Sequence, residues 1–117
     1  MSIQTQLFAQ LQSIFTGRFY PAIAPDKTAL PYGVYSRISA VEQATLDSNG
    51  GEGNNINTRL QIDIYAATYL AAQSAAQSVK TAMKSWTVTN IVDSEQDFYE
   101  PETKLYRVML DFSAWHD

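Results

Sequence analysis

The segment INTRLQIDIY, residues Ile56–Tyr65, alternates apolar and polar side chains along its length. The apolar positions are Ile56, Leu60, Ile62 and Ile64. The polar positions between them are Asn57, Arg59, Gln61 and Asp63. Successive side chains of a strand point to opposite faces, so this period of two predicts a strand with one buried and one solvated face. The centre of the fold is therefore expected to be a half-buried antiparallel sheet.

Three further strands are predicted around this one. The first runs from Tyr32 to about Val41, and the others cover Trp86–Asp93 and Lys104–Ala114. In the first, the positions assigned to the buried face are Tyr32, Val34, Ile38 and Ala40, and those assigned to the polar face are Tyr35, Arg37 and Ser39. In the last, Tyr106, Val108, Leu110 and Phe112 alternate with Arg107, Met109 and Asp111. The acidic stretch SEQDFYEPET, residues 94–103, is predicted to connect these last two strands.

Two amphipathic helices complete the predicted elements. Ser2 is a suitable N-cap for the first helix, and Gly17 is placed to end it in a left-handed turn. Its apolar stripe is formed by Ile3, Leu7, Leu11 and Ile14. The second helix is predicted from Thr68 to about Ser85, with a stripe of mostly small side chains that allows close approach to a sheet. That stripe is formed by Ala72, Ala75, Ala76, Val79, Ala82 and Met83.

The order of these elements predicts an α+β fold, α-β-β-α-β-β, over residues 1–117 as a single domain. Two hairpins joined by a helix give a mostly antiparallel four-stranded sheet with two helices packed on one face. Residues Phe19–Leu30 are predicted to form an extended loop, because prolines within and just after this segment fix φ and disfavour helix in the residues before them.

Composition narrows the possible functions. The chain has 117 residues, 45% of them hydrophobic and 17% charged, which indicates a globular domain. The absence of cysteine excludes disulfides, thiol nucleophiles and cysteine metal sites. A formal net charge of −4 argues against specific binding of nucleic acid. No signal peptide or bilayer-spanning run is evident, so folding in a cytoplasm without a membrane partner is expected.

A polar segment, DSNGGEGNN, separates the first two predicted strands at residues Asp47–Asn55. Such a segment cannot bury enough apolar surface to order itself, although two residues suffice to connect antiparallel strands. Long loops of this kind are often functional, so it is a candidate partner-binding segment. The candidate residues are Asn49, Gly50, Gly51, Glu52, Gly53 and Asn54. A tolerated loop without a role remains the alternative.

The search for catalytic chemistry yields no candidate site. The one histidine, His116, lies next to the C-terminus, where a catalytic base is poorly held. Acidic residues cluster at Asp93, Glu95, Asp97, Glu100 and Glu102. Aromatic residues and a proline interrupt any cation-binding loop there, so the cluster is interpreted as a solvated hairpin tip or as an acidic contact surface that includes Glu100. No catalytic residue, metal or cofactor is predicted.

The polar face of the sheet offers two interpretations. Its charged residues are Arg37, Arg59, Asp63, Arg107 and Asp111, interleaved with Tyr35, Tyr65 and Met109. Cross-strand pairs of opposite charge would form a solvated ladder of modest stabilising effect. Arginine, tyrosine and methionine together are also enriched at protein interfaces, which makes Arg59 and Arg107 candidate subunit contacts.

Two longer stretches carry a family resemblance. They are YPAIAPDKTALPYGVYSRIS, residues 20–39, and TRLQIDIYAATYLAAQSAAQSVKTAM, residues 58–83. An acidic D.YEPET hairpin and a final F..W strand follow. In order and spacing, these features resemble the tail-completion or tail-terminator proteins of long-tailed bacteriophages over nearly the whole chain.

The resemblance implies a non-enzymatic structural protein, assembled in the bacterial host cytoplasm. Such proteins form a homo-oligomeric ring, commonly a hexamer, at the head-proximal end of the virion tail. The ring contacts the tail tube protein, ends tube polymerisation and offers a surface to the head connector or head-completion protein.

Two alternatives remain open. One is another neck component, such as a head-closure protein or connector adapter. The other is a small dimeric α+β enzyme or ligand-binding domain, whose pocket would have to be lined by Arg37, Arg59, Asp63 and Tyr65.

Overall fold

A computed structural model describes residues 2–25, 27–42 and 56–116. The chain order in these residues is α1 (Ile3–Leu11), a 3-10 turn (Gln12–Phe15), β1 (Phe19–Pro21), β2 (Tyr32–Glu42), β3 (Ile56–Ala66), α2 (Tyr69–Lys84), β4 (Thr89–Glu100) and β5 (Leu105–His116). The predicted α+β class is therefore confirmed. The polar segment between β2 and β3 lies outside the described residues.

Both helices begin at side-chain caps. The Ser2 side chain accepts a hydrogen bond from the backbone N–H of Thr5, as predicted for α1. Thr68 caps α2 in the same way, with Ala71 as donor. After the 3-10 turn, Gly17 adopts a φ of 82° and its N–H donates to the carbonyl of Gln12 at 2.8 Å. The turn therefore uses glycine where a left-handed conformation is required.

The sheet has five strands in the order β1-β2-β3-β5-β4. The β2–β3, β3–β5 and β5–β4 pairs are antiparallel, but β1 runs parallel to β2. The prediction of four strands was therefore one short, because the prolines around Phe19–Pro21 conceal a strand of only three residues. An edge position suits this strand, since proline cannot donate to a ladder in the middle of a sheet.

One face of the sheet packs against both helices, as predicted, and we call it the covered face. Side chains from α1, α2 and the strands meet there in one core. The fully buried strand residues on this face include Leu60, Ile62, Ile64, Val108, Leu110, Phe112 and Ala114. The assigned faces of β3 and β5 are therefore confirmed.

The assigned faces of β2 were wrong from Tyr32 to Arg37 but right for Ser39 and Ala40, which pair with Arg59 and Thr58. Tyr35 lies in the core and pairs with Ile62, while Val34 pairs with Asp63 on the opposite face. A bulge between Arg37 and Ser39 then shifts the register, which leaves Ile38 51% exposed. Periodicity failed here because a bulge adds a residue to one strand and reverses the faces beyond it.

The boundary of β4 was also wrong. The strand continues through Thr89–Glu100, and the turn occupies only residues 101–104. Most of the predicted connection is therefore strand. Its side chains are largely exposed on both faces because β4 is an edge strand that α2 covers only in part. The sequence of β4 therefore shows no alternation of apolar and polar residues along the strand.

Candidate functional site: the open face of the sheet

The face of the sheet opposite the helices is called the open face. Its side chains form cross-strand rows. One row contains Tyr32, Tyr65, Arg107 and Phe98; the next contains Val34, Asp63, Met109 and Gln96. A third contains Ser36, Gln61, Asp111 and Ser94; a fourth contains Ser39, Arg59, Ser113 and Ile91. Two of the predicted contact residues, Arg59 and Arg107, therefore lie on the same face but in different rows.

Arg59 of β3 lies near two carboxylates, one on the adjacent strand β5 and one on β4 beyond it. Its Nε is 4.0 Å from Asp93 Oδ2 and its terminal nitrogen is 4.0 Å from Asp111 Oδ2. Each carboxylate also accepts a hydroxyl hydrogen bond, from Ser113 to Asp93 at 2.5 Å and from Ser94 to Asp111 at 2.9 Å. The Arg59 side chain is still 47% exposed. Long ion pairs at such exposure contribute little to stability, which leaves the guanidinium accessible to a partner.

Arg107 is held more closely than Arg59. Its guanidinium carbon lies 4.6 Å from the centre of the Phe98 ring, and its Nε is 3.9 Å from Asp63 Oδ1. Asp63 is buried, and Gln61 donates a hydrogen bond to its Oδ2 at 2.9 Å. Burial lowers the pKa of Arg107, but a hydrogen bond with Tyr65 and the charge of Asp63 outweigh it, so the pKa lies above its ordinary value. Arg107 is therefore primarily part of an internal cluster.

Glu100, the third predicted contact residue outside the polar loop, ends β4 near this cluster. It lines a cleft of about 470 Å³ together with Phe98, Arg107 and the turn residues Pro101 to Thr103. Burial, with the nearby Tyr65 and Glu100, raises the pKa of Tyr32. The rings of Tyr32 and Tyr65 stack at 4.9 Å. The hairpin end of the open face thus combines aromatic rings with charges of both signs.

The structure does not assemble the ligand pocket considered from the sequence. Arg37 pairs with Leu60 on the covered face, whereas Arg59 lies on the open face. His116 Nε2 is 2.7 Å from the Thr58 hydroxyl. Among residues 2–25, 27–42 and 56–116, no group of three histidine, aspartate or glutamate side chains is placed to hold a metal ion. In the same ranges no helix is long and apolar enough to span a bilayer.

Sequence reasoning missed one part of the open face. Phe98 belongs to β4, but it was placed in the connection after the predicted strand, which ended at Asp93. The contact of Phe98 with Arg107 had no signal in the sequence, because it depends on the register between β4 and β5. The other predicted contact residues, Asn49 to Asn54, lie outside the described residues.

Comparison with known proteins identifies the family. The family described as tail completion protein gp17 matches residues 3–117. The chain belongs to this tail completion family. It is accordingly a structural component of a phage tail, as the sequence resemblance implied.

A solved structure agrees in fold. The chain is similar to a chain in the virion of a native gene transfer agent particle, with a TM-score of 0.75 and 17% sequence identity over 98% of this chain and 94% of that one. No curated protein matches the tail completion chain in sequence. At 17% identity, the similarity to the virion chain shows a common fold and nothing further.

Proposed function

We propose that the protein is a tail terminator. Copies of the chain form a ring, expected to be a hexamer, at the head-proximal end of the tail tube. The ring ends polymerisation of the tube protein and provides the surface to which the head connector or head-completion protein binds. The observation that carries this proposal is the tail completion family match over residues 3–117.

The geometry of the described residues fits a binding role. The open face presents an accessible guanidinium at Arg59 and an acidic, aromatic cleft at Glu100, but no converging catalytic set. Charged groups of both signs on one face suit a surface that selects its partner by electrostatic complementarity. We assign Arg59, Glu100 and residues Asn49–Asn54 to partner contacts. Arg107 is assigned to holding this face in shape.

The decisive experiment removes the protein from the particle that carries it and measures tail length by electron microscopy. A terminator is required to stop the tube, so its absence should give tubes of uncontrolled length. Adding the purified chain during assembly should restore the normal length. Tails of normal length that fail to join heads would instead indicate a head-closure protein or connector adapter.

Arg59 provides a test of the open face as a contact surface. Arg59→Glu should leave the far-ultraviolet circular dichroism spectrum unchanged, because the ion pairs that it loses are long and exposed. It should nevertheless weaken ring formation or head joining. Lys84→Glu, an equal reversal of charge at the end of α2 and away from the open face, is the control for a general electrostatic effect. If Arg59→Glu assembles as well as the parent protein, the open face is a solvated ladder of charged pairs and not a contact surface.

The alternative of a ligand-binding domain predicts a different solution state. Sedimentation of the purified chain should then show a dimer that binds a metabolite, with no rings of tube diameter by electron microscopy.

A further inference from the structure

The sheet has two edges that no described strand covers. On one side, all of β4 is an edge strand of 12 residues. On the other, β1 pairs with β2 only as far as Tyr35, so β2 is uncovered by any described residue from Ser36 to Glu42. An uncovered strand presents unpaired N–H and C=O groups to which another chain can add.

The two edges differ in charge. Between Asp93 and Glu100, β4 carries four acids, Asp93, Glu95, Asp97 and Glu100, and the strand has no lysine or arginine. The free part of β2 carries one base, Arg37, and one acid, Glu42. Two β4 edges would repel each other, whereas Arg37 offers an opposite charge to the acids of a β4 edge.

The two edges also match in side-chain direction. Arg37 lies in register with Leu60, so its side chain is on the covered face of the sheet. On β4, Glu95 and Asp97 lie in register with Leu110 and Val108, which places their side chains on that same face. Residues that oppose each other in a continuous sheet share a face, so Arg37 of one copy and these acids of another are able to meet.

Exposed apolar side chains accompany the charges on both edges. Ile38 is exposed at the bulge of β2, and Tyr99 and Val92 are exposed on β4. A protein in solution gains by burying such groups against a second chain. The acidic side chains on β4 alone are also a common means of protecting an edge from aggregation, so the test has to separate protection from pairing.

We infer that β4 of one copy adds to the free part of β2 of the next copy, with Arg37 opposite Glu95 or Asp97, so that the sheet continues from subunit to subunit. The occupant of each edge is therefore a second copy of this chain. Because the two edges are different surfaces of one molecule, the contact is head-to-tail and generates a closed ring when the rotation between copies closes. This inference rests on the proposed ring and names its subunit interface.

Disulfide cross-linking tests the interface directly, because the native chain has no cysteine. One variant carries Arg37→Cys with Glu95→Cys and another carries Arg37→Cys with Asp97→Cys, which are the residues proposed to oppose each other, and each single substitution serves as a control. At high protein concentration under an oxidant, at least one double variant should give a covalent ladder, while no single variant should give dimers. Each variant is first checked for native circular dichroism.

Charge exchange provides the second measurement. Arg37→Glu and Asp97→Lys should each weaken self-association at least tenfold by sedimentation, and the double variant should recover most of it. Glu95 is left unchanged because it is already paired with Lys80 at 2.9 Å.

The outcomes separate this inference from the proposed ring. Rings that form without a ladder from any double variant would overturn the strand pairing and leave the ring in place. Dimers from a single variant would overturn it in favour of a two-fold contact. Absence of any assembly would overturn both the pairing and the ring, and β4 acids would then serve only to protect the edge.

Discussion

Gly33 lies directly beneath the ring of Phe19, so close that a Cβ at Gly33 would be 2.8 Å from Phe19 Cδ1. The ring of Phe15 is nearly as near, with its Cε2 at 2.9 Å from the same point. Phe15 and Phe19 are fully buried and stack at 5.4 Å. Glycine at this position of β2 therefore allows the segment that leaves α1 to pack onto the sheet as β1.

Replacement of Gly33 by alanine is expected to destabilise the fold. Both rings are fully buried, and overpacking of a buried site typically costs about 1–3 kcal/mol. Urea unfolding of Gly33→Ala should show a lower midpoint with an unchanged slope. The double variant Gly33→Ala/Phe19→Leu should lose less stability than the sum of the two single changes, because the smaller side chain relieves the clash. Strict additivity of the two changes would contradict this explanation.

Ile38 is exposed at the bulge of β2, whereas Ile62 of β3 is fully buried, so the same substitution should affect them differently. Ile62→Asp places a charge in the core, at a cost of several kcal/mol against a typical total stability of about 5–15 kcal/mol, and should unfold the protein. Ile38→Asp changes a half-exposed side chain and should melt close to the parent temperature while losing self-association. A new aspartate at Gln61, on the open face beside Ile62, would not serve as a control for Ile62→Asp. Gln61 lies opposite Asp111, and its amide donates a hydrogen bond to Asp63. Similar melting of the two isoleucine variants would show that the face assignment is wrong.

These residues also show what the sequence could predict. The alternation in Ile56–Tyr65 and the stripe of α2 have strong periods, and the structure reproduces both. The parts that failed depend on information that periodicity does not contain. A bulge reverses the faces of β2 after Arg37, β1 is too short to have a pattern, and β4 is exposed on both sides. The contact of Arg107 with Phe98 depends on register and could not be predicted either.

Asp63 and Arg107 are expected to depend on each other. Arg107→Gln leaves the buried Asp63 carboxylate without its nearby positive charge, which should cost about 1–3 kcal/mol. Asp63→Asn should cost less, because Arg107 still stacks on Phe98 and contacts Tyr65. A double-mutant cycle by thermal unfolding should give a coupling energy of about 1 kcal/mol. A coupling near zero would show that the pair is screened by water.

The raised pKa of Tyr35 predicts how the free energy of unfolding changes at alkaline pH. Burial raises the pKa of the Tyr35 hydroxyl above its ordinary value of about 10. The folded state therefore keeps this proton at a pH where the unfolded state releases it. Stability is fully present below about pH 10 and is lost as the pH rises through the raised folded-state pKa. Tyr35→Phe should flatten this alkaline decline in urea unfolding, and measurement at pH 7 separates the packing cost. An equally steep decline in the variant would assign the effect to other groups, of which Tyr32 is the next candidate.

The segment between β2 and β3 should be dispensable for folding and needed for assembly. Glu42 and Ile56 are already paired, so an Asn-Gly turn is able to replace residues 43–55. The shorter loop should raise the free energy of unfolding by about 1–2 kcal/mol, because closing it costs less entropy. The same variant should fail to control tail length or to join tails to heads, since glycines such as Gly50 and Gly51 are costly to order without a partner. A Gly-Ser loop of the original length is the matched control: it should fold like the parent and also fail in assembly if the native side chains make the contact. Tails of normal length that join heads with either variant would assign no role to this loop.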